Sequence, residues 1–180
     1  MGGGHRRRSL RLRGYNYASP GAYFVTLCTQ GRACVFGNIM DAIFHRTDAG
    51  GMIETAWREL PAFYPGVNID EFVIMPNHVH GIVVLVGAAP RGRSVSGQAQ
   101  GPAPTTVSLS DVVQRFKTIT TCRYAIGVRG LRWPSFRGRL WQRGYYERVI
   151  RDENEVHRIR RYIQENPAHW ATDVENPAVV

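Results

Sequence analysis

A chain of 180 residues with 43% apolar and 21% charged residues has the size and composition of one globular domain with a single buried core. Its 23 Lys and Arg residues against 14 Asp and Glu residues give a net charge of +9, which favours a polyanionic partner such as nucleic acid. Three cysteines without a C-x-x-C pair argue against a disulfide framework, and no apolar stretch approaches the roughly 20 residues of a membrane span, so we expect a reduced, cytoplasmic protein without a membrane segment.

The first half of the chain predicts a basic arm followed by strands and one helix. Residues 1–20 carry a cluster of arginines and two tyrosines, and we interpret them as a flexible arm. Residues 23–29 are β-branched and aromatic and predict a strand. A helix is predicted to run from Asp48, which can cap it, to about Leu60. Residues 67–75 and 78–86 then predict the two strands of an antiparallel hairpin.

The second half begins with a change of composition. Residues 87–107 are rich in Gly, Pro, Ser, Ala and Gln, which predicts a disordered insert loop because so little apolar surface can be buried. A Ser-x-x-Asp start predicts a helix over 108–124. Residues 145–150 predict a strand, residues 152–166 predict the last helix, and residues 171–180 are interpreted as a tail.

The predicted order is strand, helix, strand, strand, helix, strand, helix. This order favours an α+β fold, with an antiparallel β-sheet and helices packed on one face, of ferredoxin-like type. We expect a single domain over residues 21–170, without internal repeats.

Two histidines, His78 and His80, stand at the start of the second hairpin strand. Because side chains alternate along a strand, the two share a face and lie roughly 7 Å apart along the backbone. Imidazole nitrogens bind divalent cations well, so the pair predicts half of a metal site. The same spacing also arises by chance in strands whose histidines are hydrogen-bonded locally, and the spacing alone does not separate the two interpretations.

The last predicted helix supplies a second set of candidates. Its inward stripe is Val156, Ile159 and Ile163, and Tyr162 and Asn166 fall beside that stripe. These two residues are four apart, so they lie on the same face of the helix. We expect Tyr162 to project toward the histidines and Asn166 to offer a carbonyl oxygen to their metal. A tyrosine of the amphipathic core and a plain helix end before proline remain the alternative interpretations.

A basic, Gly-punctuated segment at 127–144 interleaves arginines with aromatic residues and contains no acidic residue. This pattern suits single-stranded nucleic acid, because arginines contact phosphates while aromatic rings stack on bases. Together with the basic face of the preceding helix, it gives the predicted DNA contacts Arg115, Lys117, Arg132, Arg137, Arg139, Trp141 and Arg143.

Two segments carry a family resemblance: FVIMPNHVHGIVVL at 72–85 and WQRGYYERVIRDENEVHRIRRYIQENPAHW at 141–170. They resemble the REP-associated tyrosine transposases, relatives of the HUH single-tyrosine transposases that move single-stranded insertion sequences. The specific elements are Met-Pro-Asn-His-Val-His, Trp-Gln-Arg-Gly-Tyr-Tyr and Tyr-Ile-x-x-Asn-Pro, which occur in the family's order. The resemblance covers roughly residues 15–170, and the insert at 87–107 departs from it.

The resemblance implies an HUH endonuclease fold and a set of roles. His78 and His80 would bind Mg²⁺ or Mn²⁺, and Tyr162 would be the nucleophile that forms a 5′-phosphotyrosine link during DNA cleavage and strand transfer. Asn166 occupies the position of the helix amide, where the insertion-sequence relatives usually have the longer Gln. The implied substrate is single-stranded DNA with a REP-type hairpin, and the implied protein is a monomer without a small-molecule cofactor.

Two other functions stay open at this point. A non-catalytic module that binds nucleic-acid hairpins predicts salt-sensitive binding that His78→Ala leaves unchanged. A metal-dependent phosphoesterase acting through an activated water predicts cleavage without a covalent intermediate, even in Tyr162→Phe. Tyr124, Tyr145 and Tyr146 also compete as nucleophiles, although the last two lie on a predicted strand with no amide one helical turn away.

Overall fold

The computed structural model describes residues 16–86 and 107–179. Most of the predicted basic arm and of the predicted insert loop therefore lies outside the described residues. The elements, in chain order, are β1 (Gly21–Cys28), β2 (Gly37–Met40), β3 (Ile43–Arg46), α1 (Asp48–Arg58), α2 (Leu60–Phe63), β4 (Val67–Ile74), β5 (His78–Leu85), α3 (Leu109–Gly130), β6 (Tyr146–Ile150) and α4 (Glu153–Glu165). Short 3-10 helices cover Gln30–Arg32, Asn166–Thr172 and Pro177–Val179.

The central sheet has four strands in the order β4-β5-β1-β6, and each neighbouring pair is antiparallel. The predicted hairpin of β4 and β5 is confirmed, and β1 pairs with β5 so that Thr26 stands opposite His80. Strands β2 and β3 form a separate two-stranded hairpin that the sequence did not predict. The predicted α+β class with an antiparallel sheet is confirmed.

Helices cover both faces of the sheet. The larger core joins α1 and α3 to one face, through residues such as Trp57, Phe116 and Val79. The sequence predicted that all helices pack on one face of the sheet, whereas α4 packs on the face opposite to α1 and α3, where Ile159 and Ile163 meet residues of β1 and β5. The alternation of β5 explains the difference, because Ile82 and Val84, on the same face as the histidines, are also apolar and need a cover of their own.

The helix starts follow local capping chemistry. Ser108 and Asp111 form the predicted capping box at the start of α3, and Asp152 caps α4. The cap of α1 is Thr47, whose hydroxyl accepts a hydrogen bond from the Gly50 amide, and the predicted cap Asp48 is instead the first helical residue. That acidic residue still favours the helix, because it lies at the positive end of the helix dipole. Within the two described ranges, no helix combines the length and the apolar composition needed to cross a bilayer.

Gly81, the residue after His80, makes room for the core on the opposite face of β5. A Cβ atom at this position would lie 2.4 Å from Cζ2 of the buried Trp57. We expect Gly81→Ala to lower the free energy of unfolding by about 1–3 kcal/mol, the usual cost of overpacking a core. Urea denaturation measures it, with Gly144→Ala as the matched control because a Cβ there meets nothing within 4 Å. Equal stability of the two variants would contradict the close packing at Gly81.

Candidate active site

His78 and His80 point from β5 toward α4, as the strand alternation predicts. Both are buried, with 0% and 3% of their surfaces exposed, and their Nε2 atoms lie 3.0 Å apart. Two ligands at right angles around a cation, with bonds of about 2.1 Å, stand about 3.0 Å apart, so the pair fits a single octahedral ion. The Nε2 atoms of the two rings therefore converge on one point.

Asn77 fixes the orientation of the His78 ring. Its side-chain Nδ2 donates to the backbone oxygens of Arg32 (3.1 Å) and Glu175 (2.7 Å), so its Oδ1 must be the acceptor in the 2.8 Å contact with Nδ1 of His78. His78 therefore carries its proton on Nδ1 and presents the lone pair of Nε2 to the site. Such hydrogen bonds behind a ligand are a regular feature of metal-binding histidines. Sequence reasoning missed Asn77, although it precedes His78 in the motif.

Burial keeps both imidazoles neutral. Desolvation is the main reason that the pKa of His78 lies well below its ordinary value, and it lowers the pKa of His80 to about 3. Nδ1 of His80 is hydrogen-bonded to Oγ1 of Thr26 at 2.9 Å. At neutral pH each imidazole therefore carries a single proton, and the lone pair of His78 Nε2 is available to a cation.

The C-terminal segment adds a carboxylate to the histidine pair. After α4 the 3-10 helix Asn166–Thr172 turns the chain back over the sheet, and Oδ2 of Asp173 lies 3.8 Å from Nε2 of His78. The ligand atoms of these two residues and His80 lie within 4.8 Å of one another. Sequence reasoning missed Asp173 because it treated residues 171–180 as a tail.

Tyr162 projects from α4 to the same point. Its phenol oxygen lies 3.4 Å from Nε2 of His80, and 49% of its surface is exposed. The Phe24 ring of β1 packs against both residues, stacked on His80 at 5.4 Å and edge-on to Tyr162 at 5.9 Å. The phenol is thus held beside the histidines while one side stays open to a substrate.

The phenol of Tyr162 is protonated at neutral pH. Burial, followed by the negative charge of Asp173, raises the pKa of Tyr162, and the hydrogen bond with Asn166 opposes that increase. A cation beside His80 and Asp173 would oppose it as well. Chemistry at this oxygen therefore needs a positive charge close to it.

Asn166 ends α4 one turn after Tyr162, as predicted. Its side chain is buried, with 3% exposed, and Oδ1 has no hydrogen-bond partner among the described residues. A buried carbonyl oxygen without a partner is costly unless a ligand satisfies it. This orphaned atom fits the predicted role in holding a cation, which stays a prediction.

Ion pairing fastens α4 to the sheet. Both Nε and Nη2 of Arg160 donate to the carboxylate of Asp70 on β4, at 3.0 and 2.6 Å. This two-point contact lowers the pKa of Asp70, chiefly through the side-chain hydrogen bonds. Gln164 adds a hydrogen bond to Glu71 at 3.2 Å. These contacts set the position of the helix that carries Tyr162.

A cleft of about 1190 Å³ opens beside Tyr162. Its walls come from the sheet, from the segment 142–146, from α4 and from the C-terminal segment. Aromatic rings and arginines share these walls, namely Phe24, Tyr145, Tyr146, Arg143, Arg148 and Arg158. This mixture is suited to a single nucleic-acid strand, which offers bases for stacking and phosphates for ion pairing.

The predicted DNA contacts are distributed unevenly around this cleft. Among the seven predicted residues, all of which lie in the described part of the chain, only Arg143 lines it. Three exposed arginines lie outside it on the preceding loop: Arg132, Arg137 and Arg139. Arg115 stands over the ring of Phe63, at 4.7 Å, on α3, which packs on the face of the sheet opposite to the histidines.

Trp141 and Lys117 have roles within the protein itself. Trp141 is a core residue with 3% of its surface exposed, and its Nε1 donates to Oγ1 of Thr120 at 2.8 Å. Its ring is therefore not available to stack on a base, contrary to the prediction from the sequence. The ammonium of Lys117, the single lysine of the chain, donates to the backbone oxygens of Gln142 (2.8 Å), Gly144 (2.9 Å) and Arg143 (3.4 Å). Burial lowers the pKa of Lys117 to about 8. Through these three hydrogen bonds, Lys117 holds the backbone of the segment 142–144, which forms part of the cleft wall.

Comparison with known proteins agrees with this layout. Residues 102–166, which include Tyr162 and Asn166, match the family "Transposase IS200 like". The chain is 37% identical over 182 residues to an uncharacterized protein of Haemophilus influenzae, covering 94% of this chain and 92% of that protein. The solved structure of a REP-associated tyrosine transposase bound to a REP hairpin superposes with a TM-score of 0.55 at 21% identity, covering 88% of this chain and 72% of that one.

An antiparallel sheet with a histidine pair, faced by a helix with a tyrosine, defines a protein of the HUH type. The chain belongs to the IS200-like, single-tyrosine transposase family. At 21% identity the likeness to the REP-associated structure establishes the fold. The family and the fold predicted from the motifs are thereby confirmed.

Proposed function

We propose that the protein is a metal-dependent enzyme that cuts and rejoins single-stranded DNA through a covalent link to Tyr162. The observation that carries the proposal is the 3.4 Å approach of the Tyr162 phenol to Nε2 of His80, two residues that are 82 positions apart in the chain. Only the packing of α4 on the sheet brings them together. Membership of a transposase family supports DNA breakage and joining as the reaction class.

The donor set supports a divalent cation as cofactor. His78, His80 and Asp173 would hold it, with the orphaned Oδ1 of Asn166 as a further donor. Two imidazoles with one carboxylate favour Mn²⁺ over Mg²⁺, because Mg²⁺ prefers oxygen ligands and retained waters. When bound, the cation would polarise the scissile phosphate and lower the pKa of the phenol.

The protein's own residues would then perform the transfer. Tyr162, oriented by Phe24, attacks the phosphorus, so that the bond from its phenol oxygen forms while the bond to the 3′ oxygen breaks. The phenol gives up its proton, and the departing 3′ oxygen takes one up to become a 3′-OH. The product is a 5′-phosphotyrosine link, which keeps the energy of the phosphodiester. Attack by another 3′-OH reverses the step and joins strands without ATP.

We infer that the substrate is single-stranded DNA beside a hairpin of the REP type. The relative with the same fold was solved bound to a REP hairpin. In this chain the cleft beside Tyr162 is lined by both rings and arginines. A net charge of +9 adds a general attraction to polyanions.

The test is incubation of the full chain with hairpin oligonucleotides that carry single-stranded flanks, in Mn²⁺, in Mg²⁺ or in EDTA. We expect an adduct that survives denaturation in Mn²⁺ and in Mg²⁺ and is absent in EDTA. Mass spectrometry of the digested adduct is expected to place the nucleotide on Tyr162. Cleavage without any adduct, or an adduct on Tyr145 or Tyr146, would refute the proposed mechanism.

A further inference from the structure

Two neighbouring rows of side chains run along α4 and continue into the 3-10 helix that follows it, exposed except for the buried Asn166 at the end of the first row. Arg158, Tyr162 and Asn166 form one row at intervals of four residues. Arg161, Glu165 and His169 form the second row at the same interval. Tyr162 thus has an arginine one turn before it and an amide one turn after it.

A second hollow, of about 350 Å³, lies between these two rows and is lined by the same six residues. Arg158 and Tyr162 also line the large cleft, so the tyrosine and its neighbouring arginine form the ridge between the two spaces. A DNA strand whose scissile phosphate lies at Tyr162 would continue past this ridge. Four helical residues rise about 6 Å, which is similar to the distance between successive phosphates of an extended strand. If the scissile phosphate lies at Tyr162, the next phosphate would therefore lie near Arg158.

The two arginines of the hollow differ from those nearby. Arg160 is committed to Asp70, and Arg148 is paired with Glu155. In contrast, within residues 16–86 and 107–179 the guanidinium groups of Arg158 and Arg161 form no hydrogen bond or ion pair, and both residues are exposed. The Glu165 carboxylate lies one turn further along, so positive charge is concentrated at the Arg158 end of the hollow.

We propose that the phosphate next to the scissile phosphate binds in this hollow, between Arg158 and Arg161, so that the strand crosses α4 at Tyr162. The inference rests on the proposed function, since it requires a DNA strand at Tyr162. It assigns Arg158 and Arg161 as phosphate-binding residues that position the scissile bond. They replace the loop arginines Arg132, Arg137 and Arg139 as the expected contacts nearest to the reaction.

The test measures binding of a hairpin oligonucleotide by Tyr162→Phe, which leaves the strand uncut, in four forms: alone, with Arg158→Ala, with Arg161→Ala and with Arg58→Ala. Arg58 is exposed on α1, which packs on the opposite face of the sheet, and it lines neither space, so Arg58→Ala is the control that removes the same charge. We expect Arg158→Ala to weaken binding about 10- to 100-fold, as for a lost charge-assisted hydrogen bond, and Arg58→Ala by much less. Arg161→Ala is expected to act like Arg158→Ala.

A phosphate scan then identifies the contact. Each phosphate of the single-stranded flank is replaced in turn by an uncharged methylphosphonate. At one position of the flank, the substitution is expected to weaken binding by the parent Tyr162→Phe and to cause no further loss with Arg158→Ala. Mapping of the cut site with the wild type is then expected to place this phosphate next to the scissile phosphate. Equal effects of Arg158→Ala and Arg58→Ala would overturn the inference. It would also be overturned if the loss from Arg158→Ala and the loss from the methylphosphonate multiplied at every position of the flank. Failure of the wild type to form an adduct would instead count against the proposed function, because the binding measurements require no cleavage.

Discussion

Tyr162→Phe is expected to abolish the covalent protein–DNA adduct, with a loss of at least about 10⁴-fold in the rate of its formation, because deletion of a covalent nucleophile removes most of the chemical acceleration. The substitution keeps the ring that packs on Phe24 and His80 and removes only the phenol oxygen. Binding of the oligonucleotide should therefore stay within a few-fold of wild type. Denaturing gel electrophoresis measures the adduct, and fluorescence anisotropy measures the binding.

Tyr146→Phe is the matched control for this prediction. Tyr146 lines the same cleft and also contacts Phe24, at 6.1 Å, but it lies on β6 rather than one turn before Asn166. We expect this variant to keep the adduct. If Tyr162→Phe still formed the adduct and Tyr146→Phe lost it, the nucleophile would be on the strand and not on the helix.

Local patterns predicted the elements of the site well. Alternation along 78–86 placed His78 and His80 on one face, and the four-residue spacing placed Tyr162 above Asn166, as the structure has them. These predictions succeed because each depends on the geometry of a single strand or helix. Helix geometry predicted the meeting of the two elements only on the assumption that the last helix packs on the histidine face. No local signal specifies which face of a sheet a distant helix covers, so the family resemblance was the independent support for that assumption.

Contacts between distant segments were the part that the sequence did not reveal. Trp141 read as a DNA-stacking residue because arginines surround it in sequence, whereas its ring is buried against α3. Lys117 read as a phosphate contact, yet its three donors are used by backbone oxygens of the segment 142–144. Asp173 directly follows the 3-10 helix Asn166–Thr172, which the sequence did not predict, and only the fold of the C-terminal segment brings it to His78. In each case the decisive partner is remote in sequence, so composition near the residue is misleading.

Asp173 also gives the second large prediction, which concerns metal binding. If its carboxylate is a ligand together with the two histidines, Asp173→Asn should weaken Mn²⁺ binding at least about 10-fold, and His80→Ala should abolish saturable binding. The Asn variant keeps the size of the side chain and removes the negative charge, so the fold of the C-terminal segment should persist. Isothermal titration with Mn²⁺, in the absence of DNA, measures both affinities directly.

Two features make this test decisive. Asp48→Asn is the matched control, because Asp48 is an exposed carboxylate at the start of α1, remote from the histidines in the fold. His80 is buried and hydrogen-bonded, so circular dichroism must show that His80→Ala is folded before its titration is interpreted, whereas the conclusion on Asp173 does not depend on it. Asp173→Asn with the Mn²⁺ affinity of wild type would leave His78, His80 and Asn166 as the metal-binding set. The C-terminal segment would then lie beside the metal site without contributing a ligand to it.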